Sequence, residues 1–277
     1  MPNFQHSFPN PQKMARFYAK IAVRSLYDEV ALYPKPGLVS FIDSGAHDDM
    51  DGALFFRSLF GLRHYFFQVG LNAALNASPH TLVHWGRQAE QRMHYITGGV
   101  NTHRGAIFTL GIFCTSVCKL SNQYSTFSAQ DLHLAIINDW ADFLAKHHRN
   151  ENTHGALVKQ KYAVADAKQM AIEGYQLVFE LYHELIESVD DKVFFGLMAY
   201  QHLLLNMDDI NILYRTGKNG LEFARQQIQT LSFHDKEQAI QNAIGLHTVF
   251  SQKNISPGGV ADMLSVLYFL HYLFSGK

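Results

Sequence analysis

The sequence predicts an all-α fold, a single domain over residues 1–277 built of about ten helices, several longer than the usual mean of about 11 residues. Three observations carry this. No proline falls between Pro79 and Pro257, apolar residues recur at helical spacing, and the alternation of a half-buried strand is scarce. At 277 residues the chain is near the limit of what one hydrophobic core organises, and no linker, repeat or low-complexity segment divides it. Hydrophobic residues make up 47% and charged residues 17%, enough apolar material to fold alone.

From the N-terminus, MPNFQHSFPNPQKM lacks an apolar h-region, and the most apolar run, MLSVLYFLHYLF, is short for a bilayer span. The expectation is a cytoplasmic protein without membrane contact. Helical patterning gives way at YPKPGLVSFIDSGAHDDMD, Tyr33 to Asp51, where two prolines, two glycines, a histidine and four aspartates stand together. Helix connections usually need only about 2 to 8 residues, so this loop asks for another purpose. GGVNTHRG, Gly98 to Gly105, is the second interruption. Asn101 or Thr102 can cap a helix whose first turn includes His103, Arg104 and Gly105. Free N–H groups, the helix dipole, an imidazole and a guanidinium would favour an anion there, although an ordinary capped helix has the same spacing.

Cys114 and Cys118 share a helical face and read as core thiols, since no second pair completes a zinc site. Ser128 and Asp131 form a capping box before the stripe Leu132, Ile136, Trp140, Phe143 and Leu144. A second box, Ser188 with Asp191, precedes the apolar run from Val193 to Leu205. NMDDINILYRTG, Asn206 to Gly217, is the third loop, and NISPGG, Asn254 to Gly259, the fourth. In the last, Ser256 is placed to cap a helix with Pro257 at its first position, and Gly258 and Gly259 let another group approach the backbone. Asp262 follows on an apolar helix and needs a partner: a structural cation, a metal or a substrate hydroxyl.

Formal net charge is -1 and no long Lys/Arg run occurs, which argues against nucleic acid or an anionic membrane as partner. The acidic clusters GAHDDMD and NMDDIN offer hard oxygen ligands suited to Mg²⁺. They do not make an EF-hand: with Asp49, Asp51 and Gly52 at its third, fifth and sixth positions, His47 falls at the first and Ser58 at the twelfth. Histidines outside the loops read as ordinary surface or core residues.

In this order, YPKPGLVSFIDSGAHDDMD, GVNTHRGAIFTLG, DINILYRTG and SPGGVADML resemble the triphosphoribosyl-dephospho-CoA synthases, from about residue 20 to the C-terminus. The resemblance implies transfer of the triphosphoribosyl group of ATP to the 2'-hydroxyl of 3'-dephospho-CoA, with release of adenine. The product is the prosthetic-group precursor of citrate lyase and malonate decarboxylase, handed on to an acyl-carrier-protein transferase. ALYPKPGLVS and NTHRGAIF look more like the malonate-decarboxylase branch. Departures exist: the family's DTN is Asp209, Ile210 and Asn211, its RGG is Arg215, Thr216 and Gly217, and a segment resembling YGVGGARxEA reads YAVADAKQMA, Tyr162 to Ala171.

The implied site is a cleft lined by all four loops, with a β N-glycoside converted to an α O-glycoside by attack opposite adenine. Lys35, His103, Arg104 and Arg215 are assigned to the triphosphate. His47, Asn101, Asn211, Ser256, Gly258 and Gly259 complete the substrate contacts. Asp49, Asp51 and Asp209 are candidate catalytic carboxylates, and Asp49, Asp209 and Asp262 candidate Mg²⁺ ligands. Glu29 is a further candidate base, although an exposed helical glutamate fits the same position. Oligomeric state stays open, with a homo-oligomer among the options. Two other classes compete. His47–Asp48 and His234–Asp235 resemble the dyads of helical metal phosphohydrolases, and the altered Tyr162–Ala171 segment fits a non-catalytic nucleotide binder.

Overall fold

The computed structural model describes residues 3–147, 154–186 and 191–275. Its fold is all-α, with twelve helices and one two-residue ladder among these residues. The ladder pairs β1 (Phe4–Gln5) with β2 (Thr126–Phe127), and Phe4 faces Phe127. Asn10 caps α1 (Pro11–Ala31) by accepting the Lys13 N–H at 2.9 Å, and Pro11 opens the helix where no N–H is needed. Met14, Tyr18, Ala22, Leu26 and Val30 bury one face of α1 against α2 (Gly52–Ala74), α4 (Arg104–Gln123) and α12 (Gly258–Ser275).

Asp51 caps α2, and Ser78 caps α3 (Pro79–Thr97). Helix α4 is long and apolar enough to cross a membrane, but two thirds of that stretch is buried inside the protein, as befits a core helix. Cys114 and Cys118 lie on it, buried and unbridged. The capping box of Ser128 and Asp131 forms as expected at the start of α5 (Ala129–Lys146).

The divergent segment accounts for the helices beyond ten. It yields two short ones, α6 (His154–Tyr162) and α7 (Ala167–Ile172), because Ala163 adopts a positive φ of 55° and Asp166 caps a new start. Helix α8 (Gln176–Leu185) follows. Of the second expected box, Ser188 lies outside the described residues; Asp191 itself caps α9 (Lys192–Asn206), accepting the Phe194 N–H.

Helix α10 (Ile210–Gln229) is broken at Gly217, whose φ of 71° and ψ of -168° are open essentially to glycine alone. Tyr162 of α6 lies against this break, so the departing segment packs beside the RTG sequence. Asp235 caps α11 (Lys236–Gln252). Helix α12 is buried along most of its length and packs on α1, α4, α8, α9 and α10. It starts one residue later than expected: Pro257 supplies the carbonyl that accepts the Ala261 N–H, while the Ser256 hydroxyl turns elsewhere.

Candidate functional site

Three helix starts, those of α4, α10 and α12, meet at two aspartates. Asp209 is fully buried. Its Oδ1 accepts the N–H groups of Asn211 at 2.9 Å and Ile212 at 3.0 Å, closing α10, and its Oδ2 accepts that of Val260 at 2.9 Å, closing α12. One carboxylate therefore satisfies the orphan donors of two helices. A Cβ on Gly259 would come within 3.0 Å of the same Oδ2, which explains the glycine. Burial outweighs these backbone bonds and lifts the Asp209 pKa to about 6.

Asp262, one turn into α12, rests on the first turn of α4. It accepts the Ala106 N–H, and any Cβ on Gly105 would overlap its Oδ2. Its pKa is pushed well up, first by burial and then by the nearby carboxylates of Glu29 and Asp209.

Glu29 does not sit on the helix surface. It is buried in the last turn of α1 and paired with Lys35 of the first loop, whose Nζ also donates to the Glu29 carbonyl at 2.6 Å. Burial raises the Glu29 pKa and lowers that of Lys35, each opposed by the other's charge. The expected triphosphate lysine is thus held inside against a carboxylate. Its loop is fastened from distant helices: Tyr200 donates to the Pro36 carbonyl at 2.6 Å, and His247 meets the Lys35 carbonyl at 2.9 Å and Asp43 Oδ1 at 2.7 Å. None of these fasteners carries a loop motif, and His247 had read as an ordinary histidine.

His103 also departs from expectation. It occupies the N-cap of α4 as a buried ring, with Nδ1 on Ser58 Oγ at 2.8 Å and Nε2 without a hydrogen-bond partner among the described residues. Burial, and then the charge of Lys35, lower its pKa to about 3, so the ring is neutral and not the anion-binding cation the motif suggested. Asn101 does act at this helix start, accepting the Arg104 N–H at 3.2 Å. The Arg104 side chain is half-exposed and pairs with Glu90 of α3 at 3.2 Å, not with Asp262.

A second group lies at the rim. Arg215 bonds the carbonyls of Ala46 and Asn254 and the Asn254 side chain, and contacts His47 at 3.3 Å. Most of its donors clip the first loop to the fourth, leaving little for a phosphate. His47 bonds Ser256 Oγ at 2.8 Å, and burial with the Arg215 charge lowers its pKa. Asp49 is 63% exposed and lies 3.4 Å from His47, while Asp51 caps α2 through the Leu54 N–H at 2.7 Å. Asn211 is exposed, with its amide against Gly258.

Of the expected residues, Asp262 lies within electrostatic reach of Glu29 and Asp209, and Glu29 is paired with Lys35, while His47, Asp49, Arg215 and Ser256 form the rim. Among the described residues no three His, Cys, Asp or Glu side chains converge as metal ligands. The dyads of the phosphohydrolase reading have other duties: Asp235 caps α11, and His47 bonds Ser256.

Comparison with known proteins adds the following. The family model described as ATP:dephospho-CoA triphosphoribosyl transferase matches residues 15–277. A probable 2-(5''-triphosphoribosyl)-3'-dephosphocoenzyme-A synthase of Acinetobacter calcoaceticus is 32% identical, over 96% of this chain and 94% of its own. A similarly described protein of Salmonella gallinarum is 32% identical over 93% and 91%. The 2-(5''-triphosphoribosyl)-3'-dephosphocoenzyme-A synthase of Haemophilus ducreyi is 30% identical over 92% and 88%. No solved structure matches the chain.

Proposed function

The chain belongs to the ATP:dephospho-CoA triphosphoribosyl transferase family, and from that premise we propose that it transfers the triphosphoribosyl group of ATP to the 2'-hydroxyl of 3'-dephospho-CoA and releases adenine. The observation that carries this reading is the meeting of three helix starts at Asp209 and Asp262 beside the buried Glu29–Lys35 pair; Lys35, Asp209 and Asp262 fall in the segments that resemble the family, and Glu29 lies one helical turn before the first of them. The match over residues 15–277 supports one catalytic domain.

Glu29 is the base in this reading. Burial raises its pKa, which suits a carboxylate that must take the 2'-hydroxyl proton while Lys35 steadies the charge. Asp209 holds the helix starts in register and does not touch substrate, since both its oxygens are occupied by backbone N–H groups. Arg104 and the start of α4 receive the triphosphate at the rim, where the Glu90 pair is exposed and easily exchanged.

Mg²⁺ fits the donor set in a limited way. Asp262 has the carboxylates of Glu29 and Asp209 near it and the raised pKa of a carboxylate lacking a counter-cation. Asp262 would hold the ion, with water and phosphate oxygens completing the shell, in keeping with the habit of Mg²⁺. When bound, the ion would neutralise phosphate charge.

The product then goes to an acyl-carrier-protein transferase in the cytoplasm, and the wording of ALYPKPGLVS and NTHRGAIF favours the malonate-decarboxylase branch. The test is incubation of the protein with ATP, Mg²⁺ and 3'-dephospho-CoA, followed by mass spectrometry. Free adenine and an adduct with its triphosphate intact are expected. Stoichiometric phosphate or pyrophosphate, or no turnover, would overturn the proposal.

A further inference from the structure

Thr102, Ser58 and His103 form a hydrogen-bond chain with a definite direction. The Thr102 hydroxyl donates to Ser58 Oγ at 2.7 Å, which leaves the single proton of Ser58 for His103 Nδ1 at 2.8 Å. Nδ1 lies 3.1 Å from Thr102 Oγ1 as well. This arrangement favours Nδ1 as the acceptor, and a neutral ring with that assignment carries its proton on Nε2. That nitrogen is buried without a partner among the described residues, in a residue only 3% exposed. An unanswered buried donor is destabilising. Such a group calls for an explanation, and a ligand acceptor supplies one. Against the ring lies Phe55, edge-on at 4.8 Å, while the His103 backbone N–H donates to the Met93 sulfur at 3.2 Å. The charge that reaches it is that of Lys35, itself paired with Glu29.

We propose that His103 donates its Nε2–H to N3 or N7 of the adenine of ATP, and that Ser58 and Thr102 are positioning residues that fix this tautomer. The proposal rests on the transferase reading above and moves His103 from the triphosphate to the leaving base. An uncharged, buried donor beside the Phe55 ring suits a flat, uncharged acceptor. A triphosphate oxygen would lose far more hydration in those surroundings. As the C1'–N9 bond breaks, its electron pair passes to adenine and is shared among the purine nitrogens, so the contact strengthens toward the transition state. The 2'-oxygen of dephospho-CoA forms the new bond to C1'. The proton of that hydroxyl goes to Glu29 and from there neutralises the purine through solvent. His103 keeps its own proton throughout.

Two measurements test this. The first is ¹⁵N NMR of histidine-labelled protein, with the His103 signals assigned by their loss in His103→Gln. Unprotonated Nδ1 and protonated Nε2 are expected from about pH 5.5 to 8 in the free protein, with Nε2 shifting when ATP is added. The second is calorimetric titration of ATP, 7-deaza-ATP and 3-deaza-ATP. One deaza analogue should bind about tenfold more weakly than ATP, and that gap should close in His103→Asn. If that variant does not fold, the analogue series on the unaltered protein still decides. An imidazolium, an Nδ1–H tautomer or equal affinity for all three nucleotides overturns the adenine contact. No binding of any nucleotide overturns the transferase reading and the contact with it.

Discussion

Arg104 and Asp262 stand at the same helix start, yet each has a different partner: Glu90 for the first, the Ala106 N–H for the second. Because the Arg104 pair is at the surface, Arg104→Ala should cost at most about 1 kcal/mol of stability while weakening ATP about tenfold. A thermal melt and a calorimetric titration of one sample check both, and a large fall in melting temperature with normal ATP affinity would contradict the assignment. His103 gives a pH prediction. Its pKa in the folded protein, about 3, lies below the ordinary value near 6.5. The stability tied to keeping it neutral is therefore full above about pH 6.5 and falls as the pH drops toward the folded value. Between pH 6.5 and 5 the unaltered protein should lose about 2 kcal/mol more than His103→Gln in urea unfolding; equal losses would contradict a neutral His103. Sequence spacing led to His103, Arg104 and Asp262. It could not reveal Ser58 or Glu90, which meet them only after α2 and α3 fold back on α4.

At the scale of elements, glycines set how closely helices approach. Gly105 lets Asp262 of α12 lie on the first turn of α4, where a methyl group would overlap the carboxylate. Gly105→Ala should therefore cost about 1 to 3 kcal/mol from overpacking and lower adenine release by about 10²-fold or more, since Asp262 must move. Wild-type release in that variant would show that the α4–α12 contact is not catalytic. Gly217 breaks α10 with a backbone that alanine resists, so Gly217→Ala should lower the melting temperature and disturb the loop held by Arg215. Element starts were legible where a side chain caps its own helix, as at Ser128 with Asp131. They were not legible where one carboxylate closes two helices, because Asp209 and Val260 are distant in sequence. The break at Ala163 escaped for a related reason: a non-glycine positive φ leaves no sequence signal.

For the whole molecule, α12 links core and site: buried along most of its length, it carries Gly258, Gly259 and Asp262 at its start. Truncating a core side chain far from the chemistry, as in Leu267→Ala, should cost about 2 to 5 kcal/mol by cavity formation while leaving turnover of the folded fraction near normal. The all-helical class was legible from periodicity, and so were the first, second and fourth interruptions; the third is much shorter than expected, since α10 already begins at Ile210. What the sequence left unordered was depth: the aspartates of the first and third loops and Asp262, just after the fourth, read alike. Folding leaves Asp49 63% exposed and places Asp262 among buried carboxylates at the meeting of α4, α10 and α12. In the proposed reaction this interior meeting point performs the chemistry. Adenine release from ATP and 3'-dephospho-CoA, compared between Asp262→Asn and Asp49→Asn with folding confirmed by melting, tests it most directly. A loss of about 10²-fold or more in Asp262→Asn beside near-normal release in Asp49→Asn is expected; near-normal release in Asp262→Asn with loss in Asp49→Asn would contradict it.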